Sequence, residues 1–412
     1  MTLINFDMKL EKYAETVVQV GLNVQKGQTV YINTPIEATD FVHKVVKQAY
    51  KAGAKDVLVE YIDSQLDLLK YELAPEEGLK SFPQWKVKGL LDMAEDNVAY
   101  LNVYAQNPEL LKDIDPNRVA VATKAARTAM KEFQGYIGGG RISWAIVSVP
   151  TPEWAQMIFP NLNKEEAVEQ LWDQIFAVTR INNEEPVEMW KDHISSLNER
   201  ANYLNKKKYK KLHYSGPGTN LTIELPDAHQ WLCAKFTNDK GTNFVPNLPT
   251  EEVFTIPVKT GVNGKVSSTK PLHYNGTIIN NFSLTFKDGK VVDFAAEEGF
   301  EALKGLLETD EGASYLGEVA LVPHRSPISN SNLVFYNTLY DENASCHLAL
   351  GNALPICIKN GKQMSKEELL QIGFNDSITH VDFMIGSDKL HIDGETAEGL
   401  VEPIFLDGNW VI

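Results

Sequence analysis

The run Val57-Leu58-Val59-Glu60-Tyr61 has the composition of a buried β-strand and follows residues 38–50, where apolar side chains recur at helical spacing. Gly53 separates the two, since glycine commonly follows the last turn of a helix. The alternation continues on both sides, with strands predicted over residues 29–33, 98–103 and 144–149 and a helix over 118–133. Alternation of this kind is typical of an α/β domain with a mostly parallel sheet.

The second half of the chain has a different pattern, of short strand-like runs separated by turn residues. Asp288-Gly289 lies between two such runs and predicts a tight hairpin. Helices are predicted over residues 298–308 and 343–351. The chain has 412 residues, enough for two cores. We therefore predict an α/β N-terminal domain over residues 1–205 and a strand-rich α+β C-terminal domain over residues 206–412.

The composition of the chain argues against several classes of binding partner and of cellular location. The chain carries 39 basic and 55 acidic residues, and this net charge of −16 argues against nucleic acids and anionic membranes as partners. No apolar run is long enough to span a bilayer, and residues 1–7 lack the features of a signal peptide, so we expect a cytoplasmic protein. Three cysteines without a CxxC motif indicate reduced thiols. The basic block over residues 206–211 is best interpreted as a solvated segment, with an anion site as the alternative.

Thr379-His380-Val381-Asp382-Phe383 places an imidazole and a carboxylate two residues apart in a β-prone run. Because strand side chains alternate, His380 and Asp382 are expected on one face while Val381 and Phe383 point into the core. Neutral imidazole and carboxylate are both zinc-type ligands, so the pair is a potential metal chelate. Further acidic and imidazole candidates lie upstream, at Glu251, Glu252, Glu318, Glu342 and His347.

Glu318 is the most informative of these candidates. It would share the inward face of a largely apolar strand with Ala320 and Val322, where an acidic side chain is costly to bury unless it is paired or bound to a cation. The alternative is a carboxylate at a strand end that faces water. Glu252 lies just before an apolar strand and is expected to project from the sheet edge.

Glu342 and His347 cannot both chelate from one continuous helix, since five residues separate them by about 140°. Either Asp341 caps a helix that begins near Asn343, with Glu342 in the preceding loop, or only one of the two is a ligand. The chain contains no HExxH or HxxEH motif, which excludes the commonest helical zinc-protease arrangements. Dispersed Glu, His and Asp ligands instead favour a hydrolase site with two metals.

Gly138-Gly139-Gly140-Arg141 is not a phosphate-binding loop. A nucleotide-binding glycine motif follows a strand and opens a helix, whereas these glycines precede a predicted strand. We interpret them as a loop that needs a permissive backbone.

Several longer blocks resemble the thermophilic-type bacterial metalloaminopeptidases, the relatives called aminopeptidase T, aminopeptidase S and PepS. The similarity extends over the whole chain, and the blocks that carry it are residues 247–254, 317–320, 337–351 and 380–386. The resemblance implies an N-terminal α/β domain, a C-terminal catalytic domain and a homodimer that encloses a cavity. It also implies removal of N-terminal residues, with broad specificity, from peptides with a free N-terminus.

The resemblance further implies two divalent metal ions per chain, usually zinc or cobalt, with manganese and magnesium as further candidates. Glu318 would be the bridging carboxylate. The other ligands implied by motif match are Glu252, His347, His380 and Asp382, with Glu342 joining them.

One departure from the family pattern affects catalysis. The family reads Gly-x-Ala-Tyr where this chain has Gly351-Asn352-Ala353-Leu354-Pro355, and that tyrosine is thought to assist the reaction. Leucine can neither donate a hydrogen bond to an oxyanion nor transfer a proton. Tyr340 and Tyr336 are the candidate replacements, and Glu251 and Glu318 are the candidate general bases.

Two alternatives to a fully active aminopeptidase stay open. One is a dimeric metal-binding scaffold with weakened or lost peptidase activity, which Leu354 motivates. The other is a different metal-dependent amidohydrolase or a dipeptidase that uses the same ligands.

Overall fold

The computed structural model describes residues 5–105, 107, 110–111, 113–274 and 277–412. Residues 1–4, on which part of the localisation prediction depends, lie outside the described residues. The chain divides into two compact units, Met1–Lys191 with Lys235–Leu248, and Asp192–Ala234 with Pro249–Ile412. The boundary between residues 205 and 206, with an N-terminal α/β domain before it and a C-terminal catalytic domain after it, stays a prediction. No helix of the described part is long and apolar enough to cross a membrane.

The first half of the chain alternates helices with four strands. The strands are β1 (Thr29–Pro35), β2 (Asp56–Ile62), β3 (Ala99–Tyr104) and β4 (Trp144–Ser148). The helices are α1 (Phe6–Thr16), α2 (Thr39–Lys51), α3 (Ser64–Leu73), α4 (Glu76–Leu79), α5 (Gln84–Glu95), α6 (Pro116–Gly138), α7 (Pro152–Ile158), α8 (Lys164–Val178) and α9 (Pro186–Lys207). Additional turns are a π-helical one at Val17–Gly21 and a 3-10 one at Ile36–Ala38.

The four strands form a parallel sheet in the order β2-β1-β3-β4. Buried and half-buried residues alternate along β1, where Val30 and Ile32 are fully buried. On α5 and α6, Leu90 and Phe133 belong to a core cluster against which Tyr31 and Tyr100 of the sheet lie. The predicted α/β architecture with a mostly parallel sheet is confirmed.

The remainder of the chain is rich in strands. In chain order these are β5 (Lys211–Gly216), β6 (Thr219–Glu224), β7 (Leu232–Cys233), β8 (Phe236–Thr237), β9 (Asn243–Phe244), β10 (Val253–Thr255), β11 (Val262–Ser267), β12 (Leu272–Tyr274), β13 (Thr277–Lys287), β14 (Lys290–Glu298), β15 (Leu316–Leu321), β16 (His347–Gly351), β17 (His380–Met384), β18 (His391–Glu395), β19 (Val401–Leu406) and β20 (Asn409–Trp410). The helices are α10 (Phe300–Leu307), α11 (Pro327–Asn330), α12 (Thr338–Asp341) and α13 (Lys366–Gln371), with 3-10 turns at Gly312–Ser314, Glu342–Ala344, Pro355–Cys357 and Gly361–Gln363.

The second unit contains two sheets. The smaller has five strands in the order β17-β16-β15-β10-β7, and every neighbouring pair in it is antiparallel. The larger has nine strands, ordered β12-β13-β11-β6-β5-β18-β19-β20, with β14 paired to β13. Among the described strands, β8 and β9 pair with each other alone, and both belong to the first unit. This content confirms the predicted strand-rich α+β second half.

The hairpin predicted at Asp288-Gly289 is confirmed. These two residues connect β13 to β14 and have φ angles of 49° and 81°, the left-handed conformation that a two-residue turn requires. A Cβ atom on Gly289 would lie 1.8 Å from the carbonyl oxygen of Lys259, so no larger residue fits there without a shift.

The predicted helix over residues 343–351 is wrong. Residues His347–Gly351 form β16, between β15 and β17 in the five-stranded sheet, and all five are buried. A strand that is buried on both faces has no polar side to reveal its two-residue period, so a short apolar run of this kind resembles a buried helix in sequence.

Candidate metal centre

The five-stranded sheet brings the predicted ligands to one face. Glu318 on β15, Ala349 on β16 and Asp382 on β17 lie opposite one another in a cross-strand row. His347 is two residues from Ala349, and His380 is two residues from Asp382, so both point to the same side as Glu318. The sequence prediction that His380 and Asp382 share a strand face is confirmed.

A β-bulge positions Glu318. The register of β15 against β16 shifts between Leu316 and Glu318, which leaves Gly317 as the inserted residue. A Cβ atom on Gly317 would lie 2.3 Å from the carbonyl oxygen of Gly351, so glycine permits a close approach of the two strands. Sequence reasoning missed this role, although a glycine inside an apolar strand is a known signal for a bulge.

The imidazoles lie among carboxylates. Nε2 of His347 is 3.1 Å from Oε2 of Glu252 and 3.7 Å from Oε1 of Glu318. Nε2 of His380 is 3.5 Å from Oε2 of Glu318 and 3.5 Å from Oδ1 of Asp382. Two sets of potential ligand atoms result, Glu252–Glu318–His347 and Glu318–His380–Asp382, each with its atoms within 4.8 Å of one another. Glu318 belongs to both sets.

Backbone carbonyls orient both rings. Nδ1 of His347 lies 3.1 Å from the oxygen of Ser345, and Nδ1 of His380 lies 2.7 Å from the oxygen of Asn352. A carbonyl oxygen only accepts, so Nδ1 carries a proton in each ring and Nε2 is the nitrogen that faces the carboxylates. A proton or a cation must therefore lie between Nε2 of each ring and the carboxylate oxygens that face it. This is the orientation that second-sphere contacts give to metal-binding histidines.

Burial makes the cluster costly without a cation. Glu318 is 5% exposed and Glu342 is 9% exposed. Burial raises the pKa of Glu318, and it raises the pKa of Glu342 well above its ordinary value, with the charges of Asp382 and Glu252 adding to the shift. Burial alone lowers the pKa of His347, but hydrogen bonds to Glu252 and Glu318 outweigh it and raise the pKa. Both the carboxyl groups and the imidazole therefore bind protons more tightly than they would in water.

The donor set fits a divalent metal. Nitrogen and oxygen atoms converge, and neither set contains a cysteine sulfur. Among the described residues, the buried Oδ1 of Asp382 has no hydrogen-bond partner of ordinary geometry, and Nε2 of His380 lies 3.5 Å from it. An unsatisfied buried carboxylate oxygen costs free energy unless a cation compensates for it.

Glu342 lies beside the two sets. It begins the 3-10 turn Glu342–Ala344, and its Oε1 accepts a 3.3 Å hydrogen bond from Nδ2 of Asn343. Neither set includes it among the described residues. The structure thus places Glu342 in a turn and His347 on a strand, so the helical separation considered from the sequence does not apply.

Glu251 and Tyr340 contact residues other than the ligands of the two sets. The buried carboxylate of Glu251 is 3.5 Å from Nε2 of His193, a residue of α9. Tyr340 is fully buried and stacks on Phe335, with ring centroids 4.9 Å apart. Among the described residues, neither side chain belongs to the two ligand sets.

Leu354 lies close in sequence to a ring-orienting residue. It is half-buried and directly precedes the 3-10 turn Pro355–Cys357. Asn352, whose carbonyl holds His380, is two residues earlier. The departure from the family pattern therefore falls beside the predicted centre in the chain. Sequence reasoning missed Asn352 and Ser345, because a backbone carbonyl carries no side-chain signal.

Comparisons with known proteins identify the family of the chain. The sequence profile of the family described as thermophilic metalloprotease (M29) matches residues 6–410. Aminopeptidase 2 of Geobacillus stearothermophilus is 52% identical over 405 residues, which cover 98% of each chain. Aminopeptidase T of Thermus thermophilus is 41% identical over 407 residues, which cover 99% of each chain.

A solved structure also matches. Wild-type AmpT from Thermus thermophilus superimposes with a TM-score of 0.93 at 40% identity, over 99% of this chain and 100% of that one. These findings confirm the resemblance seen in the sequence, and the prediction of a metalloaminopeptidase is confirmed at the level of the family. The chain therefore belongs to the thermophilic metalloprotease (M29) family.

Proposed function

We propose that the protein is an aminopeptidase that hydrolyses the first peptide bond of peptides with two divalent metal ions. The observation that carries the proposal is that Glu318 belongs to both sets of ligand atoms, as a bridging carboxylate must. Glu252 and His347 would complete one site, and His380 and Asp382 the other. Glu342, buried beside them, is the additional ligand.

Charge supports two ions in place of one. Glu252, Glu318, Glu342 and Asp382 supply four carboxylates when ionised. Two divalent cations carry the matching positive charge, and burial of Glu318 and Glu342, which raises the pKa of both, makes such compensation favourable. The nitrogen and oxygen donors suit zinc or cobalt, and manganese and magnesium are the further candidates.

The protein's own residues would divide the remaining tasks. When bound, paired metals lower the pKa of a shared water and polarise the scissile carbonyl. Glu318 and Glu251 are the candidates for moving a proton to the leaving amine. Glu318 would have to combine this task with bridging, and Glu251 would have to turn from His193. Tyr340 is the candidate hydrogen-bond donor to the substrate carbonyl.

The cellular setting follows from the surface and the thiols. The net charge of −16 suits substrates with a free ammonium group and disfavours nucleic acids and anionic membranes. Cys233, Cys346 and Cys357 are all buried free thiols, which suits a reducing cytoplasm. A homodimer and broad specificity complete the proposal, and the resemblance to the family supports both.

The test is hydrolysis of aminoacyl-p-nitroanilides by metal-stripped protein, with and without added Zn²⁺, Co²⁺ or Mn²⁺. We expect metal-restored cleavage of unblocked substrates, while N-acetylated substrates stay intact. A peptide length series separates an aminopeptidase from a dipeptidase, because only the former cleaves longer peptides. Absence of cleavage with two metals bound per chain would refute the proposed activity.

Leu354 motivates a second candidate, a metal-binding scaffold with weakened or lost activity. Replacing one oxyanion-stabilising donor by an inert group typically costs roughly 10²–10³ in rate. Leu354→Tyr should therefore raise kcat substantially if the chain is a weakened enzyme. No gain, with metals bound as in the parent protein, would favour the scaffold. Leu370→Tyr, an exposed leucine on α13, is the control for adding a tyrosine.

A further inference from the structure

We propose that Asn343 is a positioning residue that fixes the spacing of Glu252 and Glu342 in the metal centre. The inference rests on the proposed function, because it gives Asn343 a task only if metal binds there. Asn343 is fully buried in the 3-10 turn Glu342–Ala344, next to one of the two carboxylates in sequence. A buried amide needs partners for all its polar atoms, and these partners define its role.

The amide of Asn343 connects three segments. Its Nδ2 donates to the carbonyl oxygen of Leu339 at 3.0 Å and to Oε1 of Glu342 at 3.3 Å. Its Oδ1 accepts from the backbone N–H of Glu251 at 2.8 Å. One side chain therefore joins helix α12, the turn that carries Glu342, and the segment that leads into β10.

This contact matters for Glu252 because of where that residue lies. Glu252 precedes Val253, the first paired residue of β10, so ladder hydrogen bonds do not yet hold the backbone. Oδ1 of Asn343 accepts from the N–H of Glu251. Nε2 of His193 donates to the carbonyl oxygen of Thr250 at 2.8 Å, so both polar groups of the Thr250–Glu251 peptide are held. This peptide precedes Glu252 and the β10 ladder begins at Val253, so Glu252 lies between two fixed points of the backbone.

Glu342 is held more directly. Oε1 of its buried carboxylate accepts a hydrogen bond from the side-chain Nδ2 of Asn343. Burial raises the pKa of Glu342, and the charges of Asp382 and Glu252 add to the shift. Because Nδ2 of Asn343 donates to Oε1 of Glu342, this hydrogen bond fixes the orientation of the carboxylate and leaves its remaining lone pairs directed at the cluster. Loss of such an outer partner typically lowers metal affinity about 10–100-fold.

The experiment is a Co²⁺ titration of metal-free protein, followed by visible absorption and by chelator competition. Asn343→Ala removes all three contacts, and Asn343→Ser is the milder variant if the alanine variant does not fold. Asn205→Ala is the matched control. The Asn205 amide donates to the oxygen and accepts from the N–H of Trp231, both at 2.8 Å, so it too connects segments of the second unit.

We expect Asn343→Ala to lower Co²⁺ affinity about 10–100-fold and to alter the absorption spectrum of the bound ion. Asn205→Ala should lower the thermal midpoint of unfolding. It should change the Co²⁺ affinity less than threefold and leave the absorption spectrum of the bound ion unchanged. Equal affinity for Asn343→Ala and parent, or equal losses in both variants, would overturn the inference. Failure of the parent protein to bind Co²⁺ would refute the proposed metal centre instead, so the two failures are distinguishable.

Discussion

Both sheets of the second unit carry a histidine next to a glutamate, yet the two surroundings differ. On the nine-stranded sheet, Nε2 of His213 is 2.7 Å from Oε2 of Glu395 and Nδ1 is 3.2 Å from Oγ1 of Thr222, with His213 and Glu395 side chains 35% and 28% exposed. On the five-stranded sheet, the His347 side chain is 1% exposed and faces two carboxylates.

The comparison shows what distinguishes the candidate metal centre from an ordinary polar pair. His213 and Glu395 satisfy each other while water screens their charges. Around His347 the carboxylates outnumber the imidazoles in a space that excludes water, so pairing inside the protein leaves negative charge uncompensated. Burial and crowding mark the site, and residue type alone does not.

The largest expected effect is from removing a central ligand. His347→Ala removes the nitrogen donor from the Glu252–Glu318–His347 set, and we expect metal affinity to fall roughly 10²–10⁴-fold, which is on the order of 3–5 kcal/mol. Chelator competition measures the affinity. His213→Ala, the counterpart on the other sheet, should change it less than threefold. Similar losses for both variants would remove the distinction between the sheets.

Alanine variants at two glycines would distinguish the effect of backbone strain on stability from an effect on metal binding. Gly351 on β16 has φ +106° and would place a Cβ 2.3 Å from the oxygen of Thr379, and Gly289 in the β13–β14 turn has φ +81°. Alanine at either position should lower the free energy of unfolding by about 1–3 kcal/mol in urea denaturation. Only Gly351→Ala should also weaken metal binding, because Gly351 pairs with His380. Unchanged metal affinity in Gly351→Ala would contradict this expectation.

The pH dependence should differ with metal. Folding raises the pKa of Glu318 and Glu342 above 4.5 and of His347 above 6.5. Their stabilisation is present below the ordinary values and is lost as pH rises through the folded values. Metal-free protein should therefore lose stability as the pH rises above 4.5, where the two carboxyl groups contribute, and further above 6.5, where His347 contributes. Metal affinity should instead rise about tenfold per pH unit for each proton released.

Thermal midpoints with and without Zn²⁺ across this pH range measure both trends. Calorimetric titration in buffers of different ionisation enthalpy counts the protons released on binding. Metal-free protein that gains stability as the pH rises would show that the carboxylates are not held protonated in the cluster.

The smallest effect is expected at the nine-stranded sheet. Glu395→Gln removes one charge of a half-exposed pair, and such pairs contribute about 0–1 kcal/mol. Urea denaturation should show a change in that range, and metal titration should show none. A loss comparable to that of a buried ligand would mean that exposure does not separate the two pairs.

The local sequence pattern was sufficient to predict the architecture of the first half of the chain and two local features of the second. Alternating helix and strand signals gave the parallel sheet of the first half, and the two-residue period of strands placed His380 and Asp382 on one face. Asp288-Gly289 specified its own turn, since both residues accept positive φ. These features depend on neighbours in sequence, where backbone sterics act directly.

The tertiary structure decided the rest. Glu252, Glu318 and His347 meet because β10, β15 and β16 are adjacent, although long stretches of chain separate them. The same packing made residues 347–351 a strand where a helix was predicted, and it gave Asn343 partners in three segments. Sequence supplied the ligand types; their convergence depends on which strands pair, which is set by burial of the whole sheet.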